Sequence, residues 1–453
     1  VLELFCCYAI ISAKEGPTMS GTQERRSAFG RRAFLKAAAS VGVALAADPL
    51  LSTAAHAHVA LDRTVSSRRA FRIGVLVPES RLYPALATSL LAGLRLGFAE
   101  RGNLAGERLV ELLPEGYGDR VGAATKQARA LIVDQHVDLL VGMLSSAATM
   151  PLHDLLQAHQ VPFIVTNVGA NVIRSRGQSP YIFRTSLNHW QANWAAGSWA
   201  ANHIGKKAFV ATSFYESGYD TAYMFSRGLE RAGGTVLGRQ VTHRPRETDT
   251  FTPLLAAIKQ TNPDLVYAAY SGQQALDFTT AYANAGLAGR VPLVGSGFML
   301  DESLLGQYGD AAIGSISGFA WSPELDTTEN RAFAAAYRTS TGRTADPFAV
   351  LGYDSARLIA DALDATAGNS SNSDNLLKAL RTRELHSPRG SLVMDQWTQS
   401  VVGPLYIREV RQHQGSFSNS VIAKIDASPA FDADAAAIRS SVKTGWLNAY
   451  LAV

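Results

Sequence analysis

Two adjacent serines, Ser145 and Ser146, stand where an apolar run gives way to an amphipathic stretch, in "DLLVGMLSSAATMPLHDLLQAHQVPFIVTN". A serine there caps the free N–H groups of a helix through Leu152, Leu155 and Leu156, and a small anion can share the same donors. Capping alone is the plain alternative. Four further loops follow apolar runs in the same way: "TNVGAN" (166–171), "SFYESGYD" (213–220), "YSGQQ" (270–274) and "GSGFM" (295–299). Tyr83, Trp190, Tyr215, Tyr270, Phe298 and Trp321 fall at or near these points. Each alone fits core packing; together they describe a cleft with polar floors and aromatic walls.

Catalytic constellations are missing. There is no G-x-S-x-G elbow, no G-x-x-x-x-G-K-[ST], no H-E-x-x-H and no G-x-G-x-x-G after a strand. His153 and His159 are six apart, which does not bring them together as an i,i+4 metal pair would. A hydrolase built on Ser145 or Ser146 needs a base within reach, and the sequence offers none. The chain is therefore read as a non-enzyme with no catalytic residues, no metal and no cofactor.

The elements that must position these loops alternate. FRIGVLV (71–77), VDLLVGM (137–143), PFIVTN (162–167), KAFVATS (207–213), DLVYAAY (264–270) and VPLVGS (291–296) read as buried strands. Between them lie helical spacings, with Leu86, Leu90, Leu91, Leu94 and Phe98 on one face and Leu254, Leu255 and Ile258 on another. Strands apolar throughout and separated by helices predict an α/β protein with parallel sheets covered on both faces, binding at the carboxyl ends of the strands. Six such units exceed one compact doubly wound domain. The pattern changes near 179–191 and again near 314–326; the chain is then mostly helical to Leu385 and closes in short β segments. A chain that leaves one lobe, builds another and returns makes a hinged pair.

The formal net charge of +4 includes six Lys/Arg and four Asp/Glu in the first 57 residues. The remainder is close to neutral and carries no footprint for nucleic acid or an anionic membrane. That first segment has the form of an export signal: Arg31-Arg32, an apolar stretch and Ala55-His56-Ala57. Arg31-Arg32-Ala-Phe-Leu-Lys36 resembles the twin-arginine motif, which sends folded proteins to the periplasm. Translation is expected to begin at Met19, with cleavage after Ala57. Cys6 and Cys7 then fall outside the mature chain, which is left without disulfide or thiol chemistry.

The strings "VDLLVGMLSSAAT", "VPFIVTNVGAN", "SPYIFRTS", "SGYD", "DTFTPLLAAIKQTNPDLVYAAYSGQQALDF" and "PLVGSGFMLDESLL" occur in that order. In order and spacing the chain from about Phe71 to Ile425 resembles the type I periplasmic binding proteins, the solute receptors of branched-chain amino acid and amide ABC transporters. The resemblance implies two Rossmann-like lobes joined by three crossovers and closing on a small-molecule solute. Its expected divisions are a linker at 58–70, lobe 1 at 71–185 and 320–395, and lobe 2 at 186–319 and 396–453. A membrane permease is the implied partner and a monomer the implied state. A periplasmic sensor of the same fold is the alternative.

Carried over by position, Ser145 and Ser146 match the loop that binds a ligand carboxylate, and Val168, Gly169 and Ala170 match the stretch that holds an α-amino acid head group. Ala170 lacks the hydroxyl usual there. Ser217 stands where amino-acid binders commonly have Tyr, and near Gly297-Phe298 the usual acid facing an ammonium is absent, though Asp301 and Glu302 follow. Burying an ammonium without a carboxylate is strongly disfavoured. The expected ligand is thus a carboxylate or neutral amide rather than an ordinary amino acid. Arg81 either pairs with such an anion or lies exposed. Tyr83, Trp190, Tyr215, Tyr270 and Phe298 complete the expected ligand wall.

Overall fold

The computed structural model describes residues 69–79, 85–118, 121–142, 152–166, 179–187, 189–213, 216–242, 251–370, 373–382, 384–396 and 399–426. In chain order the first elements are β1 (Phe71–Val77), α1 (Leu86–Ala99), β2 (Leu104–Ala105), β3 (Arg108–Gly116) and α2 (Val121–Arg129), which continues as a π turn over Ala130–Asp134. β4 (Leu139–Gly142), α3 (His153–His159), β5 (Phe163–Val165) and β6 (Ile182–Arg184) follow. The middle of the chain forms α4 (His189–His203), β7 (Lys207–Ser213), α5 (Glu216–Arg231), β8 (Thr235–Thr242), α6 (Thr252–Thr261), β9 (Leu265–Ala269), α7 (Gly272–Asn284), β10 (Leu293–Ser296), α8 (Glu302–Tyr308) and β11 (Ile316–Phe319). The remainder is α9 (Thr328–Thr341), α10 (Pro347–Ala365), α11 (Ser373–Thr382), β12 (Glu384–Ser387), β13 (Gly390–Asp395), β14 (Ser400–Val402), β15 (Leu405–His413) and β16 (Ser416–Ile425).

These strands form two sheets, one per lobe. The first has nine strands in the order β12-β13-β14-β6-β5-β4-β1-β3-β2, and the second seven in the order β16-β15-β11-β10-β9-β7-β8. The centre of each is parallel, as the apolar runs predict: Ile73 lies opposite Leu139, Leu140 opposite Phe163, and Leu293 opposite Val266. Antiparallel strands flank the first sheet on both sides and the second on one, so the sheets are mixed rather than purely parallel. Tight turns join β12 to β13 and β15 to β16, and such turns permit only antiparallel pairing.

The parallel strands β3, β6, β8 and β11 escape the search for apolar runs. β3 holds Pro114, and β8 alternates exposed and half-buried residues because it lies at the edge of its sheet. Edge strands face water on part of their surface and lose the continuous apolar signature.

Three crossovers join the sheets. The chain passes to the second lobe between β6 and α4, returns after β11 through residues 320–327, and passes again at Gly403-Pro404. Ser400–Val402 still pairs in the first sheet, so the last change of sheet comes later than the expected 396.

Within each lobe one pair of helices packs backbone to backbone. In the first lobe a Cβ on Gly93 of α1 would lie 2.0 Å from the Ala349 carbonyl oxygen of α10, and one on Gly352 would lie 2.2 Å from that of Leu90. In the second, a Cβ on Gly228 of α5 would lie 1.9 Å from the Trp194 oxygen, and one on Gly197 of α4 would lie 2.1 Å from that of Phe225. Glycine in a helix costs roughly 0.5–1 kcal/mol of conformational freedom. Here it permits a close helix approach that no other residue would allow.

Candidate functional site

β4, β1 and β5 are parallel neighbours in the first sheet, so their carboxyl ends share one edge. Arg81 and Tyr83 follow β1 in sequence, Ser145 and Ser146 follow β4, and Val168, Gly169 and Ala170 follow β5. All seven lie outside the described residues. β7, β9 and β10 are likewise neighbours in the second sheet. Tyr215, after β7, also lies outside the described residues; Ser217 falls in the first turn of α5, with its side chain outside them. Tyr270 follows β9, and Gly297 and Phe298 follow β10.

Tyr270 is buried in the second core against Phe251 and Phe278, and its hydroxyl shares a 2.8 Å hydrogen bond with Thr242. Trp321 is similarly interior, its indole N–H donating to Asn330 Oδ1 at 2.9 Å. Trp190, in the first turn of α4 just past the first crossover, is buried, and its indole N–H has no hydrogen-bond partner among the described residues.

The loop after β10 is held from three sides. Phe298 packs edge-on against Phe319 of its own lobe at 5.2 Å and stacks on Phe348, at the start of α10 in the other lobe, at 5.7 Å. It therefore bridges the two lobes. Gly297 has no space for a side chain, because a Cβ there would stand 2.0 Å from Cδ2 of Phe319, a fully buried ring. Behind the loop lies Arg408 of β15, also fully buried. Its guanidinium donates to the carbonyls of Gly297 (3.2 Å) and Trp321 (3.0 Å), to Ser317 Oγ, and to Glu302 Oε1 at 2.8 Å, with its charge 4.5 Å from the Phe319 ring centre.

This arrangement accounts for both acids that follow the loop. Glu302 accepts from Arg408 and from Asn419 Nδ2 at 2.9 Å. Asp301 caps α8, accepting from the Ser303 backbone N–H at 2.9 Å and from the Ser303 hydroxyl. Burial first, and the Glu302 charge second, push its carboxyl up to about 7. A group so raised is a poor counter-ion for a ligand ammonium near neutral pH.

The raised Asp301 carries a pH signature. Unfolded, an aspartate titrates near 3.9; folded, this one binds its proton up to about pH 7. Between those values the folded state holds more protons, so stability present at acid pH is lost as pH rises through the window. Asparagine keeps the cap oxygen and never ionises. Asp301→Asn is expected to be more stable than the parent above pH 7, by up to about 4 kcal/mol at roughly 1.4 kcal/mol per pKa unit, and to gain nothing near pH 4. Urea melts at the two pH values check this; an equal difference at both would contradict it.

The buried arginines Arg389 and Arg408 are absent from the sequence-based site. Their one signal is a charged residue inside an otherwise apolar context, as in "PLYIREV", and it names no partner.

Residues 70–416 match the family model described as periplasmic binding protein. The Leu/Ile/Val-binding protein homolog 6 of Brucella melitensis is 29% identical over 388 residues, which cover 84% of this chain and 95% of that one. An ABC transporter substrate-binding protein from Sphaerobacter thermophilus superposes with a TM-score of 0.75 at 30% identity, covering 79% of this chain and 98% of its own. A solute-binding protein of an ABC transporter from Rhodopseudomonas palustris BisB5, in complex with 3,4-dihydroxybenzoic acid, superposes with a TM-score of 0.72 at 29% identity, covering 79% and 98%.

Proposed function

The chain belongs to the periplasmic binding protein family, and from that premise we propose that it is the substrate-binding component of an ABC importer, closing as a monomer on a small organic carboxylate, with aromatic acids favoured. Proteins of this family bind solutes and do not turn them over, and their place is the periplasm. The route there is the twin-arginine pathway, through Arg31 and Arg32, and the partner that receives the solute is a membrane permease.

One observation carries the ligand class. The loop after β10 has no room for a side chain at Gly297, and the acids that follow it are engaged, Asp301 in a cap and Glu302 with Arg408. Each acid makes these contacts through one oxygen only; Asp301 Oδ2 and Glu302 Oε2 are buried without a hydrogen-bond partner among the described residues, and it is the raised Asp301, at about 7, that makes this loop a poor counter-ion for a ligand ammonium. A ligand with only the acidic group needs no such partner, and the serines at 145 and 146 with the N-terminus of the following helix supply donors for it. The Rhodopseudomonas relative, in complex with an aromatic acid, supports the aromatic preference.

The test is a titration of protein that has been unfolded and refolded to remove bound solute. Benzoate and 3,4-dihydroxybenzoate at a hundred times their dissociation constants should raise stability by about 2.7 kcal/mol. Leucine and valine should bind at least about a hundredfold more weakly, since several kcal/mol separate a paired from an unpaired buried ammonium. Leucine binding as tightly as either acid would refute the reading.

A further inference from the structure

One side chain binds two successive carbonyls of the first crossover to the first lobe. Arg389, in the turn between β12 and β13, is fully buried. Its Nε donates to Asp354 Oδ2 of α10 at 2.8 Å, its Nη2 to the Thr185 carbonyl at 2.7 Å and its Nη1 to the Ser186 carbonyl at 3.1 Å. Thr185 is held to the same lobe twice more, by its N–H to the Val165 carbonyl at 3.0 Å and by its hydroxyl to Ser355 Oγ at 2.8 Å.

The same turn touches the third crossover. The Arg389 carbonyl accepts the Tyr406 hydroxyl of β15 at 2.9 Å, and a Cβ on Gly390 would lie 2.6 Å from Pro404. The second crossover is held from both sides: the Trp321 carbonyl accepts from Arg408 and the Ser322 hydroxyl donates to the Asn419 carbonyl, both of the second lobe, while the Trp321 indole N–H donates to Asn330 of α9 in the first. These bonds tie Thr185 and Ser186 to the first lobe and the Trp321 carbonyl and Ser322 hydroxyl to the second, which leaves the stretches after Ser186 and after Ser322, and Gly403-Pro404, to accommodate any turning of the lobes.

We propose that Arg389 is a positioning residue for solute capture, clamping the first crossover to the first lobe so that the lobes turn about one axis and meet in register. The capture part of this statement rests on the function proposed above; the clamp does not. Lysine at 389 keeps a charge opposite Asp354 but cannot reach Asp354 and both carbonyls together. Tyr406→Phe removes only the hydroxyl bond from the second lobe and keeps the ring.

The experiment places spin labels on Ala332→Cys and Lys259→Cys, exposed positions on α9 and α6, in a chain whose Cys6 and Cys7 are serine. The distance distribution between labels is measured without ligand, beside titration with 3,4-dihydroxybenzoate. Arg389→Lys is expected to widen the distribution at least twofold and weaken binding about tenfold or more, at a temperature where the variant is fully folded. Tyr406→Phe is expected to widen it less. Val266→Ala, which opens a cavity in the second core away from the crossovers, should lower stability and leave the width unchanged. A width in Arg389→Lys and Tyr406→Phe equal to that of the parent, or matched by Val266→Ala, would overturn the proposal. If the parent binds no acid, the ligand reading fails while the distance readout still decides the clamp.

Discussion

Arg408→Leu is expected to lower stability by about 3–5 kcal/mol, a large share of the 5–15 kcal/mol typical of a folded domain. The substitution removes the positive partner of Glu302, whose side chain is only 14% exposed. It also strands the carbonyls of Gly297 and Trp321, which accept from the guanidinium. Leucine fills part of the volume and satisfies none of these groups. Two effects should therefore appear together: a lower urea midpoint, and weaker solute binding as the loop bearing Phe298 loses its support. Arg408→Lys should fall between, since a single ammonium can compensate Glu302 but cannot span four acceptors. A loss below about 1 kcal/mol for the leucine variant would show that the buried pair is dispensable.

Gly228→Val and Gly93→Val are expected to cost more than about 4 kcal/mol each, the range reserved for disruption of a core. At both positions the first new atom would overlap a carbonyl oxygen of the facing helix, at 1.9 and 2.0 Å. Backbone cannot rotate aside as a side chain can, so the helices must separate and the contacts between them go with the separation. Gly306→Ala is the control. This glycine lies in α8 with nothing within 4 Å of a built Cβ, so alanine should be neutral or stabilise by up to about 1 kcal/mol. Soluble yield and thermal midpoint of the three variants distinguish close helix packing from a general dislike of change at helical glycines.

The two arginines also show how buried charge divides between lobes. Burial raises Asp354, and Arg389 is the largest influence pulling it back toward ionisation. Arg408 is lowered by its own burial and supported by Glu302 and then Asp301. Neither pair is an obvious source of net stability, since desolvation of both partners opposes their attraction. Their consequence is geometric: each fixes main-chain carbonyls at the point where the chain leaves a lobe.

Much of the architecture was legible before any coordinates. β1 and β7 begin and end where the apolar runs 71–77 and 207–213 do, and the helical faces of Leu86 to Phe98 and Leu254 to Ile258 lie in α1 and α6. These signals are local. A strand buried on both faces, or a helix buried on one, records its environment within a window of about seven to eighteen residues. The order of the loops after β4, β5, β7, β9 and β10 pointed to the family for the same reason. β8 was missed because an edge position erases the local signal, and β3 because its residues, Pro114 among them, are mostly half-buried or exposed.

The candidate site divides along the same line. That no acid stands at Gly297 is plain in the sequence. That Asp301 and Glu302 are both occupied, that Phe319 fills the space beside Gly297, and that Tyr270 turns into the core depended on the fold. Arg389 finds Asp354 across 35 residues and Arg408 finds Glu302 across 106. Periodicity reports how deeply a residue is buried, whereas the partner of a buried charge is chosen by whichever distant segment packs against it. The sequence by itself therefore determined the two-lobed α/β fold and its family. Only the tertiary structure decided which charges are already paired and where the lobes are left free to turn.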